Sequence, residues 1–182
     1  MRIIILSGLL LLALTKTDGQ NIKPEDNVIY AKVLNAFLKS ERIKERNIIL
    51  QSDSNNEIEI DGTAMWDSTM RTISHKLDSV KNDKITFDQL DLRNFRLIVV
   101  TEGHLKELFK RSVEDGWRSF YKKYPNSGGI VRMSKMYLSR TRTWGLIYIS
   151  ISRGGLNGAG YIIKFDLTDK RIIKIKERLW IS

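Results

Sequence analysis

After the turn Asn126-Ser127-Gly128-Gly129 the apolar residues stop recurring at steps of three and four and recur at steps of two almost to the end of the chain. Successive strand side chains take opposite faces, so this period specifies strands with one buried side. Four are predicted, Ile130 to Ser139, Trp144 to Ser152, Gly160 to Leu167 and Arg171 to Ile181, and they form an antiparallel meander. Ile147, Ile149 and Ile151 share one face of their strand, as do Tyr161, Ile163, Phe165 and Leu167 on the next. On the last strand Ile173, Ile175, Leu179 and Ile181 are expected to face inward.

The first part of the chain follows helical spacing. Pro24, Glu25, Asp26 and the cap residue Asn27 precede a stripe of Ile29, Tyr30, Val33, Leu34, Phe37 and Leu38, which predicts a helix from about Asn27 to Ser40. Asn47-Ile48-Ile49-Leu50-Gln51 reads as a short buried strand, and Glu57-Ile58-Glu59-Ile60 as an edge strand. Trp66, Met70, Ile73, Leu77 and Val80 define a second helix over about Thr63 to Lys81. Phe95 to Val100 is a strand; Leu105, Leu108 and Phe109 begin a helix that Glu114-Asp115-Gly116 interrupts or kinks. Trp117, Phe120, Tyr121 and Tyr124 then share a helical face up to Pro125, a face expected to be core rather than a ligand platform. The resulting class is α+β: N-terminal helices packed on one face of a mainly antiparallel sheet that ends in a C-terminal β-meander. Trp144 and Trp180 fall at strand positions and are compatible with either face of the sheet.

Residues 1–19 read as an address rather than as structure. Arg2 is followed by the apolar block Ile3 to Leu14 and the polar run Thr15 to Gln20, the pattern of a secretory signal peptide. Crossing a bilayer as a helix takes about 20 apolar residues, so no transmembrane segment is expected in the mature chain. Thr17 and Gly19 permit cleavage before Gln20, with Ala13 and Thr15 as a competing site. The remainder, 20–182, has no internal repeat and no linker and is expected to be one α+β domain, exported to the periplasm or the exterior.

Charge separates the two halves. Gln20 to Val100 holds 12 basic and 13 acidic residues, whereas Thr101 to Ser182 holds 17 basic and 7 acidic. The excess concerns anionic partners and solubility, not fold. With no cysteine in the chain, disulfides, thiol catalysis, thiolate metal sites and a lipoprotein anchor are excluded.

Motifs for chemistry are sparse. His75 and His104 are the two histidines, without the spacing of a metal site or a Gly-x-Ser-x-Gly elbow, and both are expected at the surface. Asp53, Asn55, Glu57, Glu59 and Asp61 lack the glycine of a calcium loop, so they read as a solvated acidic loop. Gly154 to Gly160 lies between strands and has no Walker lysine; a hairpin turn is expected there, not a phosphate cradle. No cofactor and no metal is expected, and no nucleic acid.

Three spaced segments carry a resemblance. Gly116-Trp117-Arg118-Ser119-Phe120-Tyr121-Lys122-Lys123-Tyr124-Pro125-Asn126-Ser127-Gly128-Gly129, then Gly154-Gly155-Leu156-Asn157-Gly158-Ala159-Gly160-Tyr161, then Leu179-Trp180-Ile181-Ser182 occur in order, with Ser139-Arg140 between the first two. From about Val99 to Ser182 the chain resembles a family of small uncharacterised exported bacterial proteins. In that family an aromatic helix ending in Tyr-Pro-x-Ser-x-Gly leads into strands, a Cys-Gly-x-Leu-Cys-Gly-x-Gly-Tyr turn follows, and the chain closes on Trp-x-Ser. The resemblance implies export and no activity. Arg153 and Asn157 stand where the turn cysteines of the family would be, so the staple expected of that loop is absent.

These observations point to a non-enzymatic envelope or extracellular module with a basic sheet face for anionic surfaces, acidic polysaccharide or lipid headgroups. If Ile173, Ile175, Leu179 and Ile181 face inward, Lys174, Lys176, Arg178 and Trp180 face outward, and Lys164 of the preceding strand joins them in an anion-binding stripe, with Asp166 facing Lys174. Lysines on a last strand also protect a sheet edge from pairing, which competes with the binding role. The alternative is a hydrolase acting on envelope polymers, for which Glu102, His104 and Asp115 are the residues to test.

Overall fold

The computed structural model describes residues 20–21, 24–52, 76, 85–87 and 90–181. The predicted leader, the Glu57 to Ile60 strand, the acidic run Asp53 to Asp61, His75 and the predicted helix over Thr63 to Lys81, apart from residue 76, lie outside them.

Helix α1 spans Pro24–Ser40. It starts three residues before the predicted cap because proline, with its fixed φ and no N–H, suits the first helical position. Glu25 and Asp26 in the first turn and Lys39 in the last complement the helix dipole. The expected stripe is its buried side, with Val33, Leu34, Phe37 and Leu38 fully enclosed. At its end Ile43 N–H donates to Leu38 O at 3.0 Å and Arg42 N–H to Lys39 O at 3.1 Å, with Arg42 left-handed at φ 55°. This is the paired closure that usually carries glycine. A left-handed non-glycine residue costs roughly 1–2 kcal/mol. Arg42→Gly is therefore expected to raise stability by about 1 kcal/mol, read as a higher midpoint in urea with an unchanged slope.

The strands are β1 (Gln20–Asn21), β2 (Asn47–Ser52), β3 (Ile85–Thr86), β4 (Arg96–Thr101), β5 (Ser127–Met133), β6 (Tyr137–Leu138), β7 (Trp144–Gly154), β8 (Asn157–Asp166) and β9 (Ile173–Ile181). β1 and β3 form a small parallel pair, and the other seven make one sheet in the order β4-β2-β5-β7-β8-β9, with β6 also on β7. From β5 onward every pairing is antiparallel, so the meander forms as expected. β2 is different: it pairs in parallel with both β4 and β5. Helices α2 (Glu102–Leu108) and α3 (Val113–Lys123) connect β4 to β5.

Two layers cover the sheet. α1 packs on one face, against Ile48 and Leu50 of β2, Val131 and Met133 of β5, Ile147, Ile149 and Ile151 of β7, and Tyr161, Ile163 and Phe165 of β8. On the other face α2 and α3 cover Ile49, Val100 and Ile130, while Leu146, Tyr148 and Ile162 form a separate cluster. The interruption between α2 and α3 falls at 109–112, before the predicted one at Glu114 to Gly116. Ser112 caps α3 by accepting from Asp115 N–H at 3.1 Å, and Gly116 is buried within α3, where a Cβ would lie 2.2 Å from the Phe109 ring. Glycine there lets two helices touch; it does not end one. Phe120 is fully enclosed, with Trp117, Tyr121 and Tyr124 half-buried around it.

The predicted strand Ile130 to Ser139 divides into β5 and β6 because Ser134 turns the chain. Its hydroxyl accepts from Tyr148 N–H and donates to Lys135 O, both at 2.9 Å. Met136 N–H, displaced from the ladder, donates to the Tyr30 hydroxyl of α1 at 2.9 Å, and burial pushes that phenol pKa well above its ordinary value. Ser127, Gly128 and Gly129, expected in a turn, belong to β5. Among the described residues no helix is long and apolar enough to cross a membrane.

Candidate functional site

The residues of the predicted stripe do not share one face. β9 pairs with β8 through Phe165↔Ile173, Lys164↔Ile175, Ile163↔Lys176, Tyr161↔Arg178 and Gly160↔Trp180, with a register shift at each end of the ladder. These shifts leave Lys174 and Leu179 as extra residues, two bulges that break the alternation. Directly opposed residues lie on the same side of a sheet. Ile175 therefore shares a side with Lys164 and is 40% exposed, while Lys176 and Arg178 turn to the α1 side with Ile163 and Tyr161.

Each cation has its own surroundings. Lys176 Nζ binds Glu41 Oε1 at 2.6 Å and Ser40 Oγ at 3.1 Å, tying β9 to the end of α1. Tyr161 joins this contact by donating to Glu41 Oε2 at 2.9 Å, and the Arg178 guanidinium lies 5.8 Å from its ring centre. Burial, followed by the bond to Glu41, raises the Tyr161 pKa. Lys174 pairs with Asp169 rather than Asp166, whose carboxylate instead accepts from Thr168 N–H at 2.8 Å and from its hydroxyl at 2.6 Å. Lys164 sits with its ammonium 5.4 Å from the Trp144 ring centre, and Lys76 approaches the same ring at 5.2 Å. The Trp180 backbone is opposite Gly160; its side chain lies outside the description. The expected continuous stripe is thus replaced by dispersed cations around the β8–β9 end.

Glu102, His104 and Asp115 each engage a different partner. Glu102 pairs with Lys106 at 2.8 Å and Asp115 with Arg118 at 3.3 Å. His104 Nε2 is 2.9 Å from Lys123 Nζ and 3.0 Å from Tyr124 Oη. An ammonium has only donors, so Nε2 is the acceptor toward Lys123. Among the described residues no group of three or more His, Asp or Glu side chains is placed to hold a metal ion. Gly154 to Gly160 forms the β7–β8 hairpin as expected, with Leu156 at its tip 88% exposed.

Two features were missed from the sequence. One is the pair of Arg132 and Gln51 on the α2–α3 side: Arg132 Nε donates to the buried Gln51 Oε1 at 2.6 Å, and burial lowers the guanidinium pKa. The other is a groove of about 930 Å³ between α1 and β4, lined by Asn27, Ala31 and Asn35 on the helix and by Phe95, Leu97 and Val99 along and just before the strand. Asn27 Oδ1 and Asn35 Oδ1 are buried there without a hydrogen-bond partner. The sequence signal is a polar, small, polar series at steps of four on the side of α1 next to its apolar stripe. No protein-family model matches this chain, and comparison with curated proteins and with solved structures finds no similar protein.

Proposed function

We propose that this chain is an exported, non-enzymatic binding module that holds to anionic surfaces, acidic polysaccharide or lipid headgroups, through the cations around its last two strands. One observation carries the reading. From Lys164 to Arg178 six cations accompany three carboxylates, and the exposed Lys170, Arg171 and Arg178 form no ion pair among the described residues. The separate engagement of Glu102, His104 and Asp115 gives the hydrolase alternative no comparable support.

Lys170 and Arg171 lie in the β8–β9 connection, where reversal leaves the ladder intact, unlike reversal of Lys176. Each cation near an anionic bilayer contributes about 1 kcal/mol. Lys170→Glu with Arg171→Glu is expected to lower partitioning onto phosphatidylserine vesicles at least about tenfold. Lys44→Glu with Arg46→Glu, an exposed pair in the first half, is expected to change it little. Sedimentation at rising salt measures both, since screening acts over about 8–10 Å near physiological ionic strength. Equal losses from the two pairs would reduce the effect to net charge, and retention on dextran sulfate but not on vesicles would identify polysaccharide as the surface.

A further inference from the structure

The groove between α1 and β4 lies at the opposite edge of the sheet from β9 and is independent of the cationic end. β4 is an outer strand, and among the described residues no strand pairs its far side. Arg96 N–H donates toward β2, to Arg46 O at 2.8 Å. Backbone groups alternate sides along a strand, so those of Leu97 and Val99 point outward. The same two residues send their side chains to the α1 face, where they line the groove. An open backbone edge and an apolar floor therefore coincide.

Ala31, on the helix wall of the groove, carries only a methyl group and leaves room for a larger apolar side chain. Val28, 55% exposed at the rim, extends the apolar contact, and Lys32 and Arg93 outnumber Asp91 around it.

We infer that this groove binds an extended peptide segment, added as a strand to β4, with a large apolar side chain facing Ala31. Acidic flanks suit the rim. Main-chain pairing supplies affinity in such strand addition, and alternate side chains supply selectivity.

The probe is a fluorescein-labelled heptapeptide, Glu-Ser-Val-Leu-Val-Thr-Glu with blocked ends, titrated into the purified chain by anisotropy. Saturable binding with a Kd of the order of 10–100 µM is expected. The same peptide N-methylated on the amides that face β4 is expected to bind at least about tenfold more weakly. Ala31→Trp, which fills the groove from the helix side, is expected to weaken binding similarly at an unchanged melting temperature. Should that variant melt early, amide chemical shifts of the unaltered chain decide: peptide-induced changes centred on Leu97 and Val99 support the site, and changes centred elsewhere overturn it. No saturation at millimolar peptide, or equal binding of the N-methylated form, also overturns it.

Discussion

Phe120→Ala is expected to be the most damaging single truncation on the α2–α3 side of the sheet. The ring is fully enclosed, edge-on to Trp117 at 5.2 Å and to Tyr121 at 5.1 Å, and inclined to Tyr124 at 5.2 Å, with Ile49, Val100, Leu105 and Ile130 in the same cluster. Replacing a buried phenylalanine by alanine removes the transfer free energy of the ring and leaves a cavity that neighbours fill incompletely, at about 3–5 kcal/mol. For a chain of this size that lowers the melting temperature by roughly 6–20 °C. Trp117, half-buried and stacked on Tyr121 at 5.8 Å, has solvent on one side, so Trp117→Ala is expected to cost less. Calorimetry on both variants measures the order. A Trp117 variant less stable than the Phe120 variant would place the centre of this cluster elsewhere.

The second large effect concerns Gly129→Ala. Gly129 has φ of +104°, where side chains are strained, and a Cβ built on it would stand 2.3 Å from the carbonyl oxygen of Ser152. That neighbour is the backbone of β7 and cannot rotate away. Strain of about 1–3 kcal/mol adds to overpacking of about 1–3 kcal/mol. A loss of roughly 2–6 kcal/mol is therefore expected. The same substitution at Gly103 is expected to have the opposite sign. Gly103 lies in α2 with nothing within 4 Å of its notional Cβ, so alanine adds up to about 1 kcal/mol through reduced unfolded-state freedom. A denaturant midpoint that does not fall for Gly129→Ala would refute the account of Gly129, and one that falls for Gly103→Ala would refute that of Gly103.

Where one rule governs a whole element, the sequence was readable. The stripe of α1 and the inward faces of β7 and β8 follow from undisturbed periods of 3.6 and 2, and the core contains those residues. β9 escaped because two bulges change which residues face inward, and a bulge is settled by the partner strand rather than by its own composition. The parallel ladders of β2 escaped for another reason. Ile48-Ile49-Leu50 is buried on both faces, so it carries no alternation and no indication of direction. The anion stripe inherited the error in β9, since a one-residue shift moves Lys176 from the solvent side to Glu41. The groove needed two elements separated by more than fifty residues of sequence to be set side by side, although the Asn27, Ala31, Asn35 series was visible throughout.

The position of β2 has a consequence for the order of assembly. β7 and β8 close through a hairpin whose partners are near in sequence, a step on the microsecond scale. Asn47 of β2 must instead meet both Arg96 and Ser127, so the loops that close around it are long and the corresponding search is slow. A chain emerging N-terminus first therefore presents Ile48, Ile49 and Leu50 well before β5 exists to flank them. Until residue 127 is available, that strand has one open side, and any partner able to pair with it competes with the rest of the fold.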